Sequence, residues 1–180
     1  AGGQAVAEVL FGDYNPAGKL PLTFYRNLAQ IPDFEDYNMT GRTYRYMKET
    51  PLFPFGHGLS YTTFKYGKLK MNDDKIAAGQ NLNLVIPVTN TGSRDGDEVV
   101  QVYLKKMDDT EGPVKTLRAF KRVRIPAGKT VEVKFSLNDT QLEWWDEQSN
   151  TMRVCPGNYT VMIGGTSCEK SLLSRTFTIR

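Results

Sequence analysis

The chain contains one histidine, His57, whose imidazole could act as a general acid or base. It lies in the stretch PLFPFGHGLSYTTF, residues 51–64, among prolines, glycines and aromatic residues. A catalytic base needs a partner that orients it and a nucleophile or substrate proton within reach. No acidic residue lies at a suggestive spacing from His57. We therefore predict that this stretch is a stiff aromatic connector, in which His57 packs in a turn.

A cluster of acidic residues could take part in glycoside hydrolysis, in which two carboxyl groups flank the scissile bond. Asp33, Glu35 and Asp36, in PDFEDY, form the densest such cluster in the first third of the chain. Spacing alone assigns neither a proton donor nor a nucleophile among them, and a solvated loop is the favoured interpretation. Asp108 and Asp109 lie in an evident turn, where Asp is favoured for bonding to the backbone, so we expect them to be structural.

Four aromatic residues could form a platform on which a sugar ring stacks: Trp144, Trp145, Tyr103 and Tyr159. Adjacent residues on a strand point to opposite faces, so at most one of the two tryptophans could belong to a flat platform. We expect at least one of them to lie in the core. Binding of polysaccharide through exposed aromatic residues stays open as an alternative function.

The two cysteines, Cys155 and Cys168, are separated by PGNYTVMIGG, which is typical of a turn followed by a strand. An extended run of about seven residues spans roughly 23 Å, whereas the Cα atoms of a disulfide lie less than about 7 Å apart. We therefore expect two free thiols. One histidine and two distant cysteines cannot supply a tetrahedral metal site, so no metal is expected. No cofactor is expected either, because Gly164–Gly165 lacks the features of a phosphate loop.

The composition predicts a folded chain that binds neither nucleic acid nor membrane. Its 180 residues are 39% hydrophobic and 11% aromatic, which is enough for a core. The formal net charge is only +3 and the basic residues are mixed with acidic ones, so there is no nucleic-acid stripe. No apolar run approaches the roughly 20 residues of a membrane span. The opening AGGQAVAEVL lacks a basic segment and an initiator Met, as expected of the middle of a longer protein.

Residues 1–25 are predicted to form a helix–strand unit. GQAVAEVLF, residues 3–11, places its branched apolar residues on one helical face, and Gly12 is suited to end the helix. KLPLTFY, residues 19–25, is typical of a short extended segment whose proline confines it to an edge or an end. One helix and one strand are not stable alone, so this unit is expected to be the last part of an α/β layer.

Residues 26–63 show no sustained period and are rich in Asp, Asn, Pro, Gly and Tyr. We predict a long connector with one hairpin around GRTYRYM, residues 41–47. Connectors of this length usually lie across a neighbouring surface.

From Phe64 onward, short alternating segments are separated by turns, which predicts an antiparallel β-sandwich over residues 64–180. In TVEVKFSL the apolar residues point one way and Glu132 and Lys134 point the other, as in a strand with one face on a core. Asn138 or Asp139 is expected to cap a single helical turn before the tryptophans. The seven candidate strands are residues 64–71, 81–90, 98–106, 117–125, 130–137, 157–165 and 172–180.

These stretches resemble glycoside hydrolase family 3 in the order in which that family carries them. GGQAVAEVLFGDYNPAGKLPLTF is similar to the end of its α/β sandwich domain, and PLFPFGHGLSYTTF to the junction that follows. VTNTGSRDGDEVVQVYL and PAGKTVEVKFSL resemble its fibronectin type III-like domain. The expected fold is therefore mainly β, a fibronectin type III-like (immunoglobulin-like) sandwich after a helix–strand unit and a connector. GRTYRYM is more similar to the β-xylosidase branch than to typical β-glucosidases.

The resemblance implies a region without the catalytic groups of a retaining exo-β-glycosidase, which removes terminal β-linked xylose or glucose. The resemblance implies a nucleophilic Asp on an N-terminal barrel domain and an acid/base Glu on the α/β sandwich domain, upstream of the Gly2–Gly3 region, and no residue here matches either motif. Asp33, Glu35 and Glu49 are not taken as substitutes. The chain alone is expected to be inactive, and no substrate-binding residue is assigned. A periplasmic or extracellular location is implied by the family.

The expected partners are the N-terminal catalytic domains of the same protein and, for the whole enzyme, an oligosaccharide substrate. The exposed helix–strand unit is expected either to be loosely held or to self-associate by packing against another chain, because its apolar residues would normally cover a sheet. Arg and Tyr residues suit a contact between the connector and the catalytic domains. Arg pairs with carboxylates, and Tyr buries apolar area while its hydroxyl stays polar. The candidates for interdomain contact are Arg42, Tyr44, Arg45, Tyr46, Phe55, His57 and Tyr61.

Overall fold

The computed structural model describes residues 1–180, and most of the regular structure lies from Phe64 onward. Three α-helices occur, α1 (Gly2–Leu10), α2 (Thr43–Tyr46) and α3 (Asp139–Leu142), and two short 3-10 helices span Leu28–Gln30 and Glu169–Ser171. The strands are β1 (Phe64–Tyr66), β2 (Lys70–Met71), β3 (Lys75–Ile76), β4 (Leu82–Asn90), β5 (Gly96–Lys106), β6 (Thr116–Ile125), β7 (Thr130–Leu137), β8 (Trp144–Asp146), β9 (Thr151–Arg153), β10 (Gly157–Gly164) and β11 (Leu173–Ile179).

Two sheets form a sandwich. In the first sheet, β4 pairs with β7 along one edge and with β1 and β2 along the other, always antiparallel. The second sheet has the order β3-β11-β10-β5-β6 and is antiparallel except for the short β3–β11 pair. Strands β8 and β9 form a separate hairpin. The prediction of a mainly β chain with an antiparallel, fibronectin type III-like sandwich is confirmed.

The core lies between the sheets because their inward faces are apolar at every second position. In β7, Val133 and Leu137 are buried while Glu132 and Lys134 are exposed, as the alternation predicts. Burial of one large aliphatic side chain contributes about 1.5–3 kcal/mol. The fully buried contributors from β4, β5 and β10 are Leu82, Leu84, Ile86, Val88, Val100, Val102, Leu104, Val161 and Ile163.

The strands predicted from alternation all appear with closely similar bounds, although residues 64–71 divide into β1 and β2. Strands β3, β8 and β9 were not predicted, because two or three residues are too few to show a period. The predicted helical turn is confirmed as α3. Asn138 is its N-cap, and its side chain accepts a hydrogen bond from Thr140 N at 3.0 Å while Gln141 completes a capping box.

The strand predicted at residues 19–25 is absent. Only Phe24 makes a β-bridge, to Phe53, with a hydrogen bond of 2.9 Å from Phe24 N to Phe53 O. No strand of an α/β layer lies beside residues 19–25 in this chain, and Pro21 has no N–H to donate to one. The remainder of the segment is consequently irregular.

The hairpin predicted around residues 41–47 is also wrong, because the single turn α2 occupies its place. The Arg42 guanidinium donates to the carbonyl oxygens of Asp36 and Asn38 and turns the chain back on itself. Thr43 adopts φ 53°, and Met47 N donates to Thr43 O at 2.9 Å. The positive φ of Thr43 breaks the extended path that a hairpin strand would need.

Helix α1 begins one residue earlier than predicted and ends before Gly12, which has φ 82°. None of its residues is buried. Helix α1 therefore presents its apolar face to solvent in this chain. Among the helices, none has the length and hydropathy of a membrane span.

Candidate docking surface

Two of the predicted interdomain residues, Tyr44 and Phe55, point onto the β-sandwich of the same chain. Their rings stack with centroids 4.4 Å apart, and Tyr44 meets the ring of Tyr103 edge-on at 5.8 Å. Leu117 N donates to the Tyr44 hydroxyl at 3.2 Å, and Ser167 N donates to Phe55 O at 2.9 Å. These contacts of Tyr44 and Phe55, which form the Tyr44 clamp, hold the connector on the outer face of β5 and β6.

Tyr103 lies beneath this clamp and is fully buried. Its hydroxyl donates to the side chain of Gln101, whose Nε2 donates in turn to Gly165 O at 2.6 Å. Burial raises the pKa of Tyr103, because the ionised phenolate would lose its hydration. The polar groups of Tyr103 and Gln101 thus form hydrogen bonds within the chain, beneath the connector.

Three further candidates lie on the connector surface. The Arg42 side chain is engaged by the carbonyl oxygens of Asp36 and Asn38 and holds the connector itself together. The Arg45 guanidinium lies 5.7 Å from the centroid of the Tyr46 ring and has no acidic partner. The backbone carbonyl of Arg45 accepts a hydrogen bond from Val114 N, in the β5–β6 loop. Arg45 and Tyr46 both line a groove beside that loop.

His57 and Tyr61 join the connector to the N-terminal unit, residues 1–25. The His57 ring stacks on Phe53 at 4.9 Å, and its carbonyl accepts from Leu20 N at 2.8 Å. The Tyr61 hydroxyl donates to Val9 O, at the end of α1, at 2.6 Å. His57 has no carboxylate or nucleophile among these contacts, so the geometry agrees with packing in a turn.

Asn15, which was not predicted as a site residue, connects three parts of this surface. Its Nδ2 donates to Asp95 O at 3.0 Å, and its Oδ1 accepts from Ser60 Oγ at 3.0 Å and from Tyr61 N at 2.8 Å. One side chain therefore holds the N-terminal unit, the connector and the β4–β5 loop together. The residue stands before Pro16, which signals a turn but gives no sign of partners so distant in sequence.

Glu98 was not singled out from the sequence either, and it is buried. It occupies the same phase of β5 as the core residues Val100 and Val102, which is the signal that could have identified it. The Tyr66 hydroxyl donates to its Oε1 at 2.7 Å, and Lys19 Nζ lies 3.3 Å from its Oε2. Burial and the adjacent carboxylate raise the pKa of Tyr66.

Many large apolar side chains of the first 61 residues are exposed. Phe11 is 85% exposed, Phe34 92% and Tyr37 89%. Large apolar side chains exposed in such number favour a contact surface. The exposed apolar surface comprises Val6, Leu10, Phe11, Leu28, Phe34, Tyr37 and Leu59.

The acidic cluster forms local contacts. Asp36 Oδ1 accepts from Asn38 N at 2.9 Å and from Asn38 Nδ2 at 2.8 Å, and these hydrogen bonds lower the pKa of Asp36. Asp36 N donates to Asp33 O at 3.1 Å, which closes a turn, and Glu35 is exposed. This is the arrangement of a solvated loop.

The four aromatic residues do not form a shared platform. Tyr103 and Tyr159 are fully buried and Trp144 is 4% exposed, whereas Trp145 is 51% exposed. The two tryptophans point to opposite faces, as predicted for neighbours on a strand. Cys155 and Cys168 are free thiols, as predicted. No group of three or more His, Cys, Asp or Glu side chains lies close enough together to bind a metal ion.

Two family models match the chain on either side of the connector's end. Residues 1–61 match the glycosyl hydrolase family 3 C-terminal domain, and residues 98–167 match the fibronectin type III-like domain. The fold and these matches define the region in which an α/β sandwich domain ends and a β-sandwich follows. The chain belongs to glycoside hydrolase family 3 and corresponds to its C-terminal part.

Relatives extend the similarity over nearly the whole chain. A xylan 1,4-β-xylosidase of Xylanibacter ruminicola is 51% identical over 99% of the chain, which covers 20% of that protein. A periplasmic β-glucosidase of Salmonella typhimurium is 38% identical over 93% of the chain and 24% of its own length. The solved β-glucosidase EmGH1 of Erythrobacter marinus has a TM-score of 0.83 and 37% identity over 99% of the chain and 24% of its own. The chain thus spans about a fifth to a quarter of the length of these relatives.

Proposed function

We propose that this chain is the non-catalytic C-terminal region of a retaining exo-β-glycosidase and that it stabilises and docks against the catalytic domains. The observation that carries the proposal is the exposed apolar surface. Its residues lie on the N-terminal unit and the connector. These parts match the glycosyl hydrolase family 3 C-terminal domain over residues 1–61. The partner that fits is the remainder of that domain in the same protein.

A rigid attachment supports this role. The N-terminal unit and the connector are held on the β-sandwich by three contacts: the Tyr44–Phe55 stack, the hydrogen bonds of Asn15 and the Lys19–Glu98 ion pair. A partner that binds the exposed apolar surface would therefore be fixed relative to the sandwich as well. The β-sandwich would act as a buttress, and the contacts that we propose to face the partner include Tyr46, His57 and Tyr61.

The chemistry of hydrolysis would reside in the partner domains. Retaining hydrolysis requires two carboxyl groups about 5 Å apart on either side of the scissile bond. Asp33, Glu35 and Asp36 lie on a solvated turn, and the buried Glu98 is already engaged by Tyr66 and Lys19. We infer that the chain by itself does not hydrolyse glycosides.

We favour terminal β-linked xylose over glucose as the substrate of the whole enzyme. The support is the 51% identity to a xylan 1,4-β-xylosidase, compared with 38% to a periplasmic β-glucosidase. A periplasmic or extracellular location fits the second of these relatives. Initial rates of the whole enzyme on nitrophenyl β-xyloside and β-glucoside test the substrate, and a faster rate on the glucoside would overturn the preference.

Complementation tests the docking role. The preceding domains and this 180-residue chain are produced separately, and hydrolysis of nitrophenyl β-xyloside is measured for each and for the mixture. We expect the chain alone to be inactive and the mixture to be more active and more heat-stable than the preceding domains alone. Phe11→Ser should weaken the association, whereas Met152→Ser, also at an exposed apolar residue but on β9, should not. Equal activity with and without the chain would overturn the proposal.

A further inference from the structure

A groove of about 680 Å³ lies on the β-sandwich between the β5–β6 loop and the β8–β9 hairpin. Trp145 and Met152 line it from the hairpin, and Asp109 lines it from the loop. Arg118 of β6 and Arg45 of the connector complete its lining. The volume lies in the range of small-molecule sites. The groove is separate from the exposed apolar surface.

Arg118 is a partly buried cation that forms no ion pair in the chain, although the charge of Glu143 lies near it. Its guanidinium lies 5.2 Å from the centroid of the Trp144 ring, and its Nη2 donates to Glu143 O at 2.7 Å. Its Nε–H is buried and makes no hydrogen bond. Burial lowers the pKa of Arg118, and the nearby charge of Arg45 lowers it further. Two neighbouring guanidinium groups without acidic partners favour an anion.

The acidic residues of the groove do not supply that anion, because none of them forms an ion pair with Arg45 or Arg118. Asp109 Oδ2 accepts from Trp144 Nε1 at 2.6 Å, and its Oδ1 accepts from Gly112 N at 2.6 Å. Asp146 pairs with Arg153 Nε at 2.8 Å. The groove therefore holds two guanidinium groups without an ion pair beside carboxylates, such as that of Glu111, that also have none.

The remaining lining favours a sugar over a phosphate. Trp145 is half exposed and offers an aromatic face of the kind on which sugar rings pack. Carboxylates such as Asp108 and Glu111 accept hydrogen bonds from hydroxyl groups, but they would repel a doubly charged phosphate. A ligand with one negative charge and many hydroxyl groups matches both sets of side chains.

We propose that this groove binds an oligosaccharide through a uronic acid residue, whose carboxylate pairs with Arg118 and Arg45 and whose ring packs on Trp145. The proposal does not depend on docking to the catalytic domains, since the groove is formed entirely by this chain.

Calorimetric titration of the 180-residue chain tests the proposal with two probes. One is neutral xylotetraose, and the other is xylotetraose that carries one glucuronic acid branch. We expect the acidic probe to bind about 10- to 100-fold more tightly, as charge-assisted hydrogen bonds to a carboxylate provide. Raising the salt from about 20 mM to about 500 mM should remove most of that difference, because the groove is open to solvent.

Substitutions assign the contacts. Arg45→Gln and Arg118→Gln should each weaken binding of the acidic probe by about tenfold or more and leave binding of the neutral probe unchanged. Trp145→Ala should weaken both. Arg124→Gln is the matched control, because Arg124 lies on the same strand as Arg118 but outside the groove. Arg45 lies outside the sandwich, so its variant tests the site even if Arg118→Gln unfolds the domain.

Three results would overturn the proposal. Equal affinity for the two probes would show that the carboxylate is not recognised. Unchanged affinity in Arg45→Gln would remove the assigned contact. Absence of binding by the intact chain, together with weaker association of Arg45→Gln with the preceding catalytic domains, would identify the groove as part of the protein interface instead.

Discussion

Lys19 Nζ lies 3.3 Å from Glu98 Oε2, with the lysine side chain 19% and the glutamate side chain 7% exposed. This ion pair joins the N-terminal unit to the core-facing side of β5. Glu98 is buried, and its carboxylate also accepts a hydrogen bond from the Tyr66 hydroxyl, at 2.7 Å from Oε1. The pair is a link between two parts of the chain that have no strand pairing with each other.

Lys19→Met is predicted to destabilise the fold by about 2–3 kcal/mol, because it leaves a buried carboxylate without its cation. Urea denaturation followed by tryptophan fluorescence measures the change. Arg124→Met removes a more exposed partner, that of Asp95, and should cost much less, because solvent screens this pair. The double variant Lys19→Met/Glu98→Gln should be more stable than Lys19→Met alone. A loss as small as that of the control would contradict the prediction.

Asn15→Ala is predicted to loosen the N-terminal unit while the sandwich stays folded. The substitution removes one donated and two accepted hydrogen bonds, and we expect a local loss of about 1–3 kcal/mol. Hydrogen exchange at the amides of Leu20 and Tyr61 should become faster, whereas exchange in β5 and β10 should not change. Asn81→Ala, which loses one exposed hydrogen bond, provides the control. Uniform loss of protection would contradict a local role of Asn15.

Tyr44→Ala is predicted to release the connector from the second sheet. The variant loses the stack on Phe55, the edge contact with Tyr103 and the acceptor for Leu117 N, for about 2–4 kcal/mol in total. Thermal denaturation should show a lower Tm. Tyr37→Ala removes an equally large side chain that is 89% exposed and should leave Tm nearly unchanged. Equal Tm values for the two variants would disprove the clamp.

Acidification is predicted to weaken the β8–β9 turn through Asp146. Hydrogen bonds from Ser149, aided by the charge of Arg153, lower the pKa of Asp146. Its stabilising contribution is therefore complete above the unfolded value of about 3.9 and is lost as the pH falls through the lower folded value. A carboxyl NMR titration should give a midpoint below about 3.9, and Ser149→Ala should raise it. A midpoint that does not move in this variant would be evidence against the hydrogen bond.

The chain is predicted to self-associate through the exposed apolar surface when the catalytic domains are absent. Sedimentation velocity at increasing concentration should show oligomers of the intact chain and fewer of them in Leu10→Ser/Phe11→Ser. These two residues are 73% and 85% exposed, so their replacement should not destabilise the fold. Met152→Ser serves again as the control. A strictly monomeric intact chain at high concentration would be incompatible with this prediction.

The β-sandwich was predictable from the sequence because each long strand has one face on the core. The alternation in TVEVKFSL gives both the bounds of β7 and the side on which Val133 lies. The same argument placed Trp144 and Trp145 on opposite faces. Short strands such as β8 carry too few residues to show a period, so they were missed.

The contacts of the candidate docking surface were not predictable in the same way. Asn15 bonds to Asp95, 80 positions along the chain, and local patterns carry no information about such a partner. The hairpin expected around residues 41–47 failed because Arg42 bonds to nearby carbonyl oxygens and Thr43 takes a positive φ. Composition and spacing do not reveal either feature.

The Tyr44 clamp has a practical consequence for anyone who recombines modules of such enzymes. A domain boundary placed at Phe64, where the first sheet begins, would remove the Tyr44 ring that covers Tyr103 and the Lys19 ammonium that pairs with Glu98. A transplanted sandwich would therefore have to include the preceding segment from about Asp13 onward. The boundary that the sequence pattern indicates divides a single packed unit.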